Sequence, residues 1–356
     1  MKVLIVHCGE GIYGGAELVI VELCKYLKAG GHEAMVVTKG IPRGSWHGDM
    51  WYDAHDWLDF WKEVQNWIRW VDVVNVHNFP ASLATFPKHI PTVWMCNEPA
   101  ELFTNWWRKP IEAFNRWWVK KSGMKVVVAD RFNADRFERI YKVKPEIIPY
   151  GVDYEFWSSG ERIKREGGKI RLLQVGTISP YKNQLASILT LIELLRNGID
   201  AELTLAGSVT DEKYYKSLIS NINYVEHIGM GGFMPRIALV GQKSREEVRN
   251  LFNSHDILLH PVKEQGGWLA PFEAICAGLP IIVSPEFTGA DVVIDNGLGI
   301  VTSDLIGAIR DIYEKQVRYE AWTKDNGKWV KENLSWENFG EGMLEVFEEA
   351  KGPLSF

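Results

Sequence analysis

Short apolar runs rich in β-branched residues alternate with helical patterns along the whole chain, and this alternation restricts the fold more than any other feature. In the first half, strands are predicted at residues 2–7, 34–38, 73–77, 92–96, 125–130 and 146–151. In the second half, they are predicted at 170–176, 201–207, 236–241, 256–261 and 280–285, with helices at 183–197, 211–221, 244–253 and 303–314. Uninterrupted apolar strands separated by helices are typical of parallel sheets covered on both faces. The pattern therefore predicts an α/β protein with two doubly wound domains.

A polar stretch with several charges and glycines, residues 158–169, lies between the two sets of strands and is typical of a linker. The 356 residues, 46% of them hydrophobic, are enough for two domains with full cores. We expect an N-terminal domain near 1–155 and a C-terminal domain near 156–334. Domains of this kind bind ligands at the carboxyl ends of their strands.

The charge balance and the cysteines exclude several classes of protein. The formal net charge of −6 argues against nucleic acid as the main partner, because phosphate binding needs a strong basic excess. The cysteines Cys8, Cys24, Cys96 and Cys276 lie far apart without metal-ligand spacing, which is typical of free thiols in a reducing compartment. No apolar stretch approaches the ~20 residues of a membrane-spanning helix. We expect a cytoplasmic protein without a metal site.

A glycine cluster, GEGIYGG at 9–15, directly follows the first predicted strand and precedes the first helix. Its spacing fits the G-x-G-x-x-G pattern of dinucleotide-binding enzymes, so a dehydrogenase or epimerase is one alternative. That pattern also needs an acid after the second strand, where residues 38–40 read Thr-Lys-Gly. Glycines before a helix let backbone N–H groups, here those of Gly14 and Gly15, approach an anion. A tight turn without a ligand is the other interpretation.

Two acids and one lysine in the second half have positions typical of a ligand site. Glu264 and Glu273 flank a Gly-Gly-Trp turn in EQGGWLAPFEA, which follows a predicted strand and leads into a helix. Lys182 stands at the entrance of another helix, after the strand-end glycine Gly176. A lysine in that place can meet a diphosphate, although it can also be an ordinary surface lysine.

Several motifs, in this order along the chain, resemble those of the retaining, nucleotide-sugar-dependent glycosyltransferases of the GT-B fold, in the large family 4 group. They are GGAE (14–17), PYGVD (149–153), VGTISPYKN (175–183), EQGGWLAPFEA (264–274) with AGLP (277–280), and SWENF (335–339). The resemblance spans nearly the whole chain and implies two Rossmann-like domains that face a central cleft. It also implies that a C-terminal helix, residues 335–356, crosses back to the N-terminal domain.

The resemblance implies that a hexose-type sugar is transferred from a UDP- or GDP-sugar without a metal or a cofactor. Glu273 would hold the ribose, Glu264 would lie at the donor sugar, and Lys182 would bind the diphosphate. Transfer develops positive charge on the sugar and negative charge on the leaving phosphate, which carboxylates and N–H donors stabilise respectively. The acceptor would be a glycan, a lipid-linked glycan or a small molecule. The other expected donor-side residues are Gly14, Gly15, Gly176, Thr177, Gln265, Gly266, Gly267 and Trp268.

The acid pair and the diphosphate site depart from the family pattern. Eight residues separate Glu264 from Glu273, where seven are usual, so Gln265 is an alternative for the position of the first acid. Thr177 stands where an arginine is common, and some members resemble this threonine version.

A third departure lies on the acceptor side. Asn97, followed by Glu98, stands where the family commonly has a histidine, and asparagine cannot exchange a proton at neutral pH. His77, at another strand end, would shape the acceptor side or satisfy a local hydrogen bond. We expect Glu264, Lys182 and Asn97 to act in catalysis, with the leaving diphosphate helping to deprotonate the acceptor. A non-catalytic sugar-nucleotide binder is the alternative that Asn97 and the acid spacing suggest.

Residues 105–121 read NWWRKPIEAFNRWWVKK and contain four of the chain's 16 tryptophans. Pro110 can begin a helix that places Ile111, Phe114 and Trp118 on one core face. The other aromatic rings lie among five basic residues and a single acid, a combination that suits anionic lipid headgroups. Packing inside the domain or in an acceptor cleft is the other interpretation. The hypothesis is a peripheral contact with the inner membrane face, where a lipid-linked acceptor would lie.

Overall fold

A computed structural model describes residues 1–8, 14–40, 51–97, 106–163, 168–227, 236–263 and 268–352. The chain divides into two compact units, one made of Met1–Gly151 with Trp336–Phe356 and the other of Val152–Ser335. Each unit is built on one sheet whose paired strands run parallel. The predicted α/β class with two doubly wound, Rossmann-like units is confirmed.

Both sheets reverse their strand order beside their first strand. The strands of the first unit are β1 (Lys2–Cys8), β2 (Glu33–Lys39), β3 (Trp51–Ala54), β4 (Val73–His77), β5 (Thr92–Met95), β6 (Lys125–Val128) and β7 (Glu146–Ile147), in the order β3-β2-β1-β4-β5-β6-β7. The strands of the second unit are β8 (Ile170–Val175), β9 (Ala201–Ala206), β10 (Ile237–Gly241), β11 (Ile257–His260), β12 (Ile281–Val283) and β13 (Ile300–Val301), in the order β10-β9-β8-β11-β12-β13. The order reverses between β1 and β4 and between β8 and β11. Ligands of doubly wound sheets bind at the carboxyl ends of the strands at such a reversal.

The helices connect these strands, and some of them begin at a residue whose side chain caps the helix. They are α1 (Gly15–Ala29), α2 (Trp57–Trp67), α3 (Lys109–Ser122), α4 (Arg131–Tyr141), α5 (Tyr154–Ser158), α6 (Gln184–Arg196), α7 (Glu212–His227), α8 (Arg245–Ser254), α9 (Leu269–Cys276), α10 (Ala290–Asp295), α11 (Leu305–Glu314), α12 (Gln316–Asn333) and α13 (Trp336–Lys351). Asp130 caps α4 by accepting a hydrogen bond from the N–H of Asn133 at 2.7 Å. Within the described ranges, none of the helices is long and apolar enough to span a bilayer.

The uninterrupted apolar runs are explained by burial on both faces of each sheet. In β1, Leu4 and Val6 join the core on one face, whereas Val3 and Ile5 join the core on the other. Phe339 of α13 packs into the same cluster as Val3 and Ile5. The C-terminal helix is therefore part of the core of the first unit.

Three edge or terminal strands differ from the predictions. Two short strands, β3 and β13, were not predicted, and both lie at the edges of their sheets. The strand predicted at 146–151 is only Glu146–Ile147. Pro149 cannot donate a ladder hydrogen bond, and a Cβ atom on Gly151 would lie 2.5 Å from the backbone of Trp336. The chain therefore leaves the sheet early and packs against the start of α13.

The linker interpretation of residues 158–169 is wrong for the part that the structure describes. The Arg162 guanidinium donates to the carbonyl oxygens of Phe252 at 3.0 Å and His255 at 2.8 Å. The N–H of Ile163 donates to the carbonyl oxygen of Asn253 at 2.8 Å. These bonds attach Arg162 and Ile163 to the second unit.

The predicted core face of α3 is wrong for two of its three residues. Trp118 is buried, but Ile111 is 43% exposed and Phe114 is 39% exposed. The helix instead buries Glu112 and Asn115 beside Trp118. Asn115 bonds with Ser82 and Tyr141, and Glu112 pairs with Lys109 and Arg116, so these polar groups have partners inside.

Candidate functional site

The carboxyl ends of β8 and β11 lie side by side where the strand order of the second unit reverses. Gly176 follows β8 with a φ of +145°, a conformation that residues with a side chain rarely adopt. Gly207 follows β9, and a Cβ atom there would lie 2.0 Å from the carbonyl oxygen of Gly176. The two glycines therefore let the backbone segments after two neighbouring strands touch at the edge where a ligand would bind.

Lys182 is held at this edge by its backbone. The side-chain amide of Gln174, in β8, donates to the carbonyl oxygen of Lys182 at 2.7 Å and accepts from the hydroxyl of Ser187 at 2.7 Å. Asn183 takes a left-handed conformation before α6 and donates to the carbonyl oxygen of Pro261, after β11, at 3.0 Å. The segment around Lys182 is thus tied to both strands of the reversal.

The Lys182 side chain is buried, with 6% of the residue exposed, and its stem lies against Gly176. Burial lowers the pKa of the Lys182 ammonium to about 8, because the charged form loses hydration. His260, the last residue of β11, is also buried, and burial and the charge of Lys182 hold its pKa well below the usual range. The Nε2 atom of His260 has no hydrogen-bond partner among the described residues. A buried cation beside a neutral imidazole is complementary to an anionic ligand.

Glu273 lies on α9 near the charged side chains of Arg245 and Asp153. Burial raises the pKa of its carboxyl to about 7, the positive charge of Arg245 opposes this rise, and the negative charge of Asp153 adds to it. Arg245 pairs with Asp153 at 3.4 Å and lies over the ring of Phe156 at 4.5 Å. Since Arg245 is engaged with Asp153, Glu273 is a carboxyl group that can accept hydrogen bonds from a hydroxyl-bearing ligand.

Thr177 and Trp268 are the other predicted donor-side residues of the second unit that the structure describes. Thr177 follows β8 and is half-buried, and its hydroxyl lies 3.3 Å from the hydroxyl of Tyr181. Trp268 is buried, and its ring packs on Phe272 at a centroid distance of 4.5 Å. Four predicted site residues of this unit lie outside the described residues: Glu264, Gln265, Gly266 and Gly267.

In the first unit, the glycine-rich start of α1 is occupied by a side chain of the same helix. Glu17 accepts a hydrogen bond from the N–H of Gly14 at 2.8 Å and from Nε2 of His7 at 3.0 Å. Burial acts to raise the pKa of Glu17, but the hydrogen bond and charge of His7 outweigh it, and the pKa is lowered. The Gly14 amide that was expected to meet a diphosphate is therefore already bonded, whereas Gly15 is the first residue of α1.

His77 ends β4 beside His7 and makes the local hydrogen bond that was one of its two expected roles. Its Nε2 lies 2.7 Å from the side-chain oxygen of Asn75, and its ring is fully buried. Burial and the charge of His7 hold the pKa of His77 well below the usual range. His77 is therefore neutral at physiological pH. Its hydrogen bond with Asn75 lies within β4, next to the reversal between β1 and β4.

Asn97 follows β5 and is fixed by two bonds. Its N–H donates to the side-chain oxygen of Asn78 at 3.2 Å, and the hydroxyl of Tyr150 donates to Oδ1 of Asn97 at 2.5 Å. Burial raises the pKa of Tyr150, so this hydroxyl stays protonated and remains a donor. The Nδ2 atom of Asn97 is buried and has no hydrogen-bond partner among the described residues. Glu98 lies outside the described residues.

Several residues of the two sites were missed in the sequence. Tyr150 and Asp153 both lie in the PYGVD motif, which could have indicated them. His260 could have been found as the last polar residue of the predicted strand 256–261. Arg245 carries no comparable signal, because its contact with Asp153 joins residues far apart in the chain.

Family models match sequence in both units of the chain. Residues 156–329 match the family model for glycosyl transferases group 1, and residues 13–156 match the model for glycosyltransferase family 4. The uncharacterized glycosyltransferase MJ1178 of Methanocaldococcus jannaschii is 24% identical over 230 residues, 63% of this chain and 59% of that protein. The match thus spans less than two thirds of that relative. Spore coat protein SA of Bacillus subtilis is 22% identical over 306 residues, 78% of each chain.

Among solved structures, Anabaena HepE in complex with UDP-glucose is similar with a TM-score of 0.80, at 16% identity over 98% of this chain and 100% of that chain. At this identity the likeness concerns the fold alone. The family resemblance that was based on short motifs is confirmed by the two family models, which together cover residues 13–329. The chain belongs to the GT-B glycosyltransferases of family 4, the group 1 glycosyltransferases.

Proposed function

We propose that the protein is a retaining glycosyltransferase that moves a hexose-type sugar from a nucleoside diphosphate sugar to a glycan, a lipid-linked glycan or a small molecule. The observation that carries this proposal is the buried, positively charged Lys182 at the strand reversal of the second unit. Family membership supports the same reaction class. The complex of HepE with UDP-glucose makes a UDP-sugar the first donor to test, followed by a GDP-sugar.

Lys182 is proposed to bind the donor diphosphate and to stabilise it as it leaves. A bound diphosphate compensates the buried ammonium, whose pKa is lowered in its absence. Negative charge on the phosphate grows as the glycosidic bond breaks, so the same contact strengthens in the transition state. Lys182 and backbone N–H groups, rather than a metal, would supply this stabilisation.

Glu273 is proposed to accept hydrogen bonds from the ribose hydroxyls, and Glu264 to lie at the donor sugar. The raised pKa of Glu273 fits this role, because hydroxyl donors restore the ionised form that burial disfavours. The role of Glu264, with Gln265 as its alternative, rests on the sequence motif alone. Gly15, Gly176, Thr177, Gly266, Gly267 and Trp268 remain the other proposed donor-side residues.

Asn97 is proposed to donate a hydrogen bond to an oxygen of the reacting sugars, with its orientation set by Tyr150. It cannot act as a base, so the acceptor proton would pass to an oxygen of the leaving diphosphate. The bond from the anomeric carbon to the phosphate oxygen breaks, and the acceptor oxygen bonds to the same face. This route keeps the anomeric configuration without a protein base.

The acceptor is proposed to reach the enzyme at the inner membrane face when it is lipid-linked. Residues 105–121 would provide the contact, because Trp106 and Trp117 are exposed on a basic segment. The protein would then be cytoplasmic with a peripheral membrane contact.

Calorimetric titration with UDP, GDP, ADP and dTDP tests the donor site, and NMR of UDP-glucose hydrolysis tests the reaction. We expect one nucleotide to bind, slow hydrolysis in EDTA, and α-glucose as the first product before mutarotation. Initial release of β-glucose would contradict retention. Binding without any hydrolysis or transfer would support the sugar-nucleotide binder instead.

A further inference from the structure

Two helices of the first unit leave large aromatic side chains on the surface. Trp57 and Trp61 of α2 are 52% and 42% exposed, and Trp117 of α3 is 50% exposed. Phe114 of α3 is 39% exposed, as described above. Burying such rings is ordinarily favourable, so a group of them left exposed indicates an interaction surface.

These rings form one continuous surface, because Phe86 joins the two helices. The indole N–H of Trp61 donates to the carbonyl oxygen of Phe86 at 3.3 Å. The ring of Phe86 meets the ring of Phe114 at 5.3 Å, and Phe114 stacks on Trp117 at 5.5 Å. We call Trp57, Trp61, Phe86, Phe114 and Trp117 the aromatic surface.

Basic side chains accompany the α3 part of the aromatic surface. Residues 106–121 contain five basic residues and one acid, a net charge of +4 in a chain whose formal net charge is −6. The single acid, Glu112, is buried and pairs with Lys109 at 3.0 Å, while Lys120 and Lys121 are exposed at the end of the helix. On the α2 side, the ammonium of Lys39 lies 5.0 Å from the ring of Trp57, but residues 56–67 contain three acids and one lysine, a net charge of −2. The basic part of the aromatic surface is therefore that of α3.

The charge of the α3 part favours an anionic bilayer over a second copy docked α3 to α3. Such a pair would bring two segments of charge +4 together, which is unfavourable. Anionic headgroups complement the same cations, and tryptophan rings are stable at the level of the headgroups. We propose that the aromatic surface docks the first unit on a bilayer containing anionic lipid, with α2 and α3 both in contact. This deepens the membrane contact of the proposed function, on which it rests for the nature of the acceptor.

The direction of the helices relates the aromatic surface to the acceptor side of the first unit. Helix α2 begins three residues after β3 ends, at the carboxyl edge of the sheet. Asn97 follows β5 at the same edge. The start of α2, with Trp57, and Asn97 therefore lie at the same edge of the sheet.

Sedimentation of the full chain with vesicles tests the proposal. The vesicles are phosphatidylcholine alone or phosphatidylcholine with one quarter phosphatidylglycerol. We expect binding to the anionic vesicles and weaker binding at high salt, because exposed charges are screened. Lys120→Glu with Lys121→Glu should weaken binding on the order of thirtyfold, since each cation contributes roughly a factor of five.

The aromatic variants test whether both helices take part. Phe114→Ala with Trp117→Ala, and separately Trp57→Ala with Trp61→Ala, should each weaken binding at least tenfold. The control is Leu189→Ala, because Leu189 is a large apolar residue that is 54% exposed on α6 of the second unit. Circular dichroism of each variant shows whether the fold is kept, and the exposed lysine pair tests the surface even if an aromatic pair does not fold.

The outcomes separate this proposal from the proposed function. The two-helix surface would be wrong if the wild type did not bind anionic vesicles, or if the variant Trp57→Ala with Trp61→Ala bound them as tightly as the wild type. In either case UDP affinity and hydrolysis would stay intact. A shift from dimer to monomer in the aromatic variants, without lipid binding by the wild type, would identify a second copy as the occupant. Vesicle binding by a chain that binds no nucleotide would instead contradict the proposed function alone.

Discussion

Replacing Lys182 by methionine should stabilise the ligand-free protein while weakening nucleotide binding. The residue is 6% exposed, and burial lowers its pKa from 10.5 to about 8. At 1.36 kcal/mol per pKa unit, the buried charge destabilises the folded state at neutral pH by ~3 kcal/mol. Methionine keeps an unbranched stem of similar length without the charge, so we expect Lys182→Met to raise the free energy of unfolding by about 2–3 kcal/mol.

The pH dependence of this gain follows from the two pKa values of Lys182. Below pH 8, the lysine is charged in the folded and unfolded states, and the full difference between variant and wild type is present. Between pH 8 and 10.5, the folded wild type has lost the proton that the unfolded chain still holds, so the stability of the wild type rises with pH. The gain from methionine should therefore shrink over this range and vanish above it.

Urea unfolding of the ligand-free protein at pH 7 and pH 9.5 measures both effects. Lys213→Met is the matched control, because Lys213 is an exposed lysine of the same unit, and it should change stability by no more than about 0.5 kcal/mol. UDP affinity should fall at least tenfold for Lys182→Met and remain unchanged for the control. A Lys182→Met protein less stable than wild type at pH 7, or a gain equally large at pH 9.5, would refute the reasoning.

Three further predictions concern other residues of the two sites. UDP affinity should rise with pH through about 7 in the wild type, because the ionised Glu273 carboxylate accepts the ribose hydrogen bonds, and Glu273→Gln should remove this part of the dependence in calorimetry at pH 6 and 8. Gly207→Ala should lower the free energy of unfolding by about 2–3 kcal/mol, whereas Gly168→Ala should not, since only the first Cβ atom meets backbone at 2.0 Å. Tyr150→Phe should lower turnover without changing UDP affinity, and adding Asn97→Ala should cause little further loss, because the two side chains act as one hydrogen-bonded pair.

The interior strands could be predicted from the sequence because their buried, mostly apolar residues follow one another without interruption. β4 is the clearest case, since all five residues from Val73 to His77 are buried and the predicted bounds match. β3 and β13 could not be found in this way, because short edge strands are covered less completely and lack a long apolar run. Their pairing depends on the neighbouring strand, which periodicity does not reveal.

Helix α3 illustrates why a correct helix can be assigned a wrong face. The spacing of Ile111, Phe114 and Trp118 fits a helical stripe, yet the buried stripe contains Glu112 and Asn115. Asn115 can be buried because it accepts a hydrogen bond from Ser82 and donates one to Tyr141, both in other elements. A pattern based on hydrophobicity cannot foresee partners that lie more than twenty residues away in the chain.

The sequence indicated the proposed donor-site residues of the second unit, but it did not indicate their pKa values. Lys182 and Glu273 were singled out because they flank predicted strand ends. The pKa of Lys182 depends on burial, and the pKa of Glu273 depends on burial and on the charges of Arg245 and Asp153, which come from two other segments of the unit. Motifs therefore indicated which residues matter, whereas only the fold shows that the lysine is a buried cation.

The start of α1 shows that one glycine pattern is compatible with opposite electrostatic outcomes. The partial positive charge of a helix N-terminus attracts either a bound anion or an acid from the first turn of the same helix. In this chain Glu17 folds back onto the N–H of Gly14, and His7 holds the carboxylate from β1. A phosphate at the same amide would meet the negative charge of Glu17 at close range. The His7–Glu17 pair therefore makes Gly14 a capped helix start rather than a free phosphate donor, and it leaves the cation of Lys182 as the principal candidate for the diphosphate.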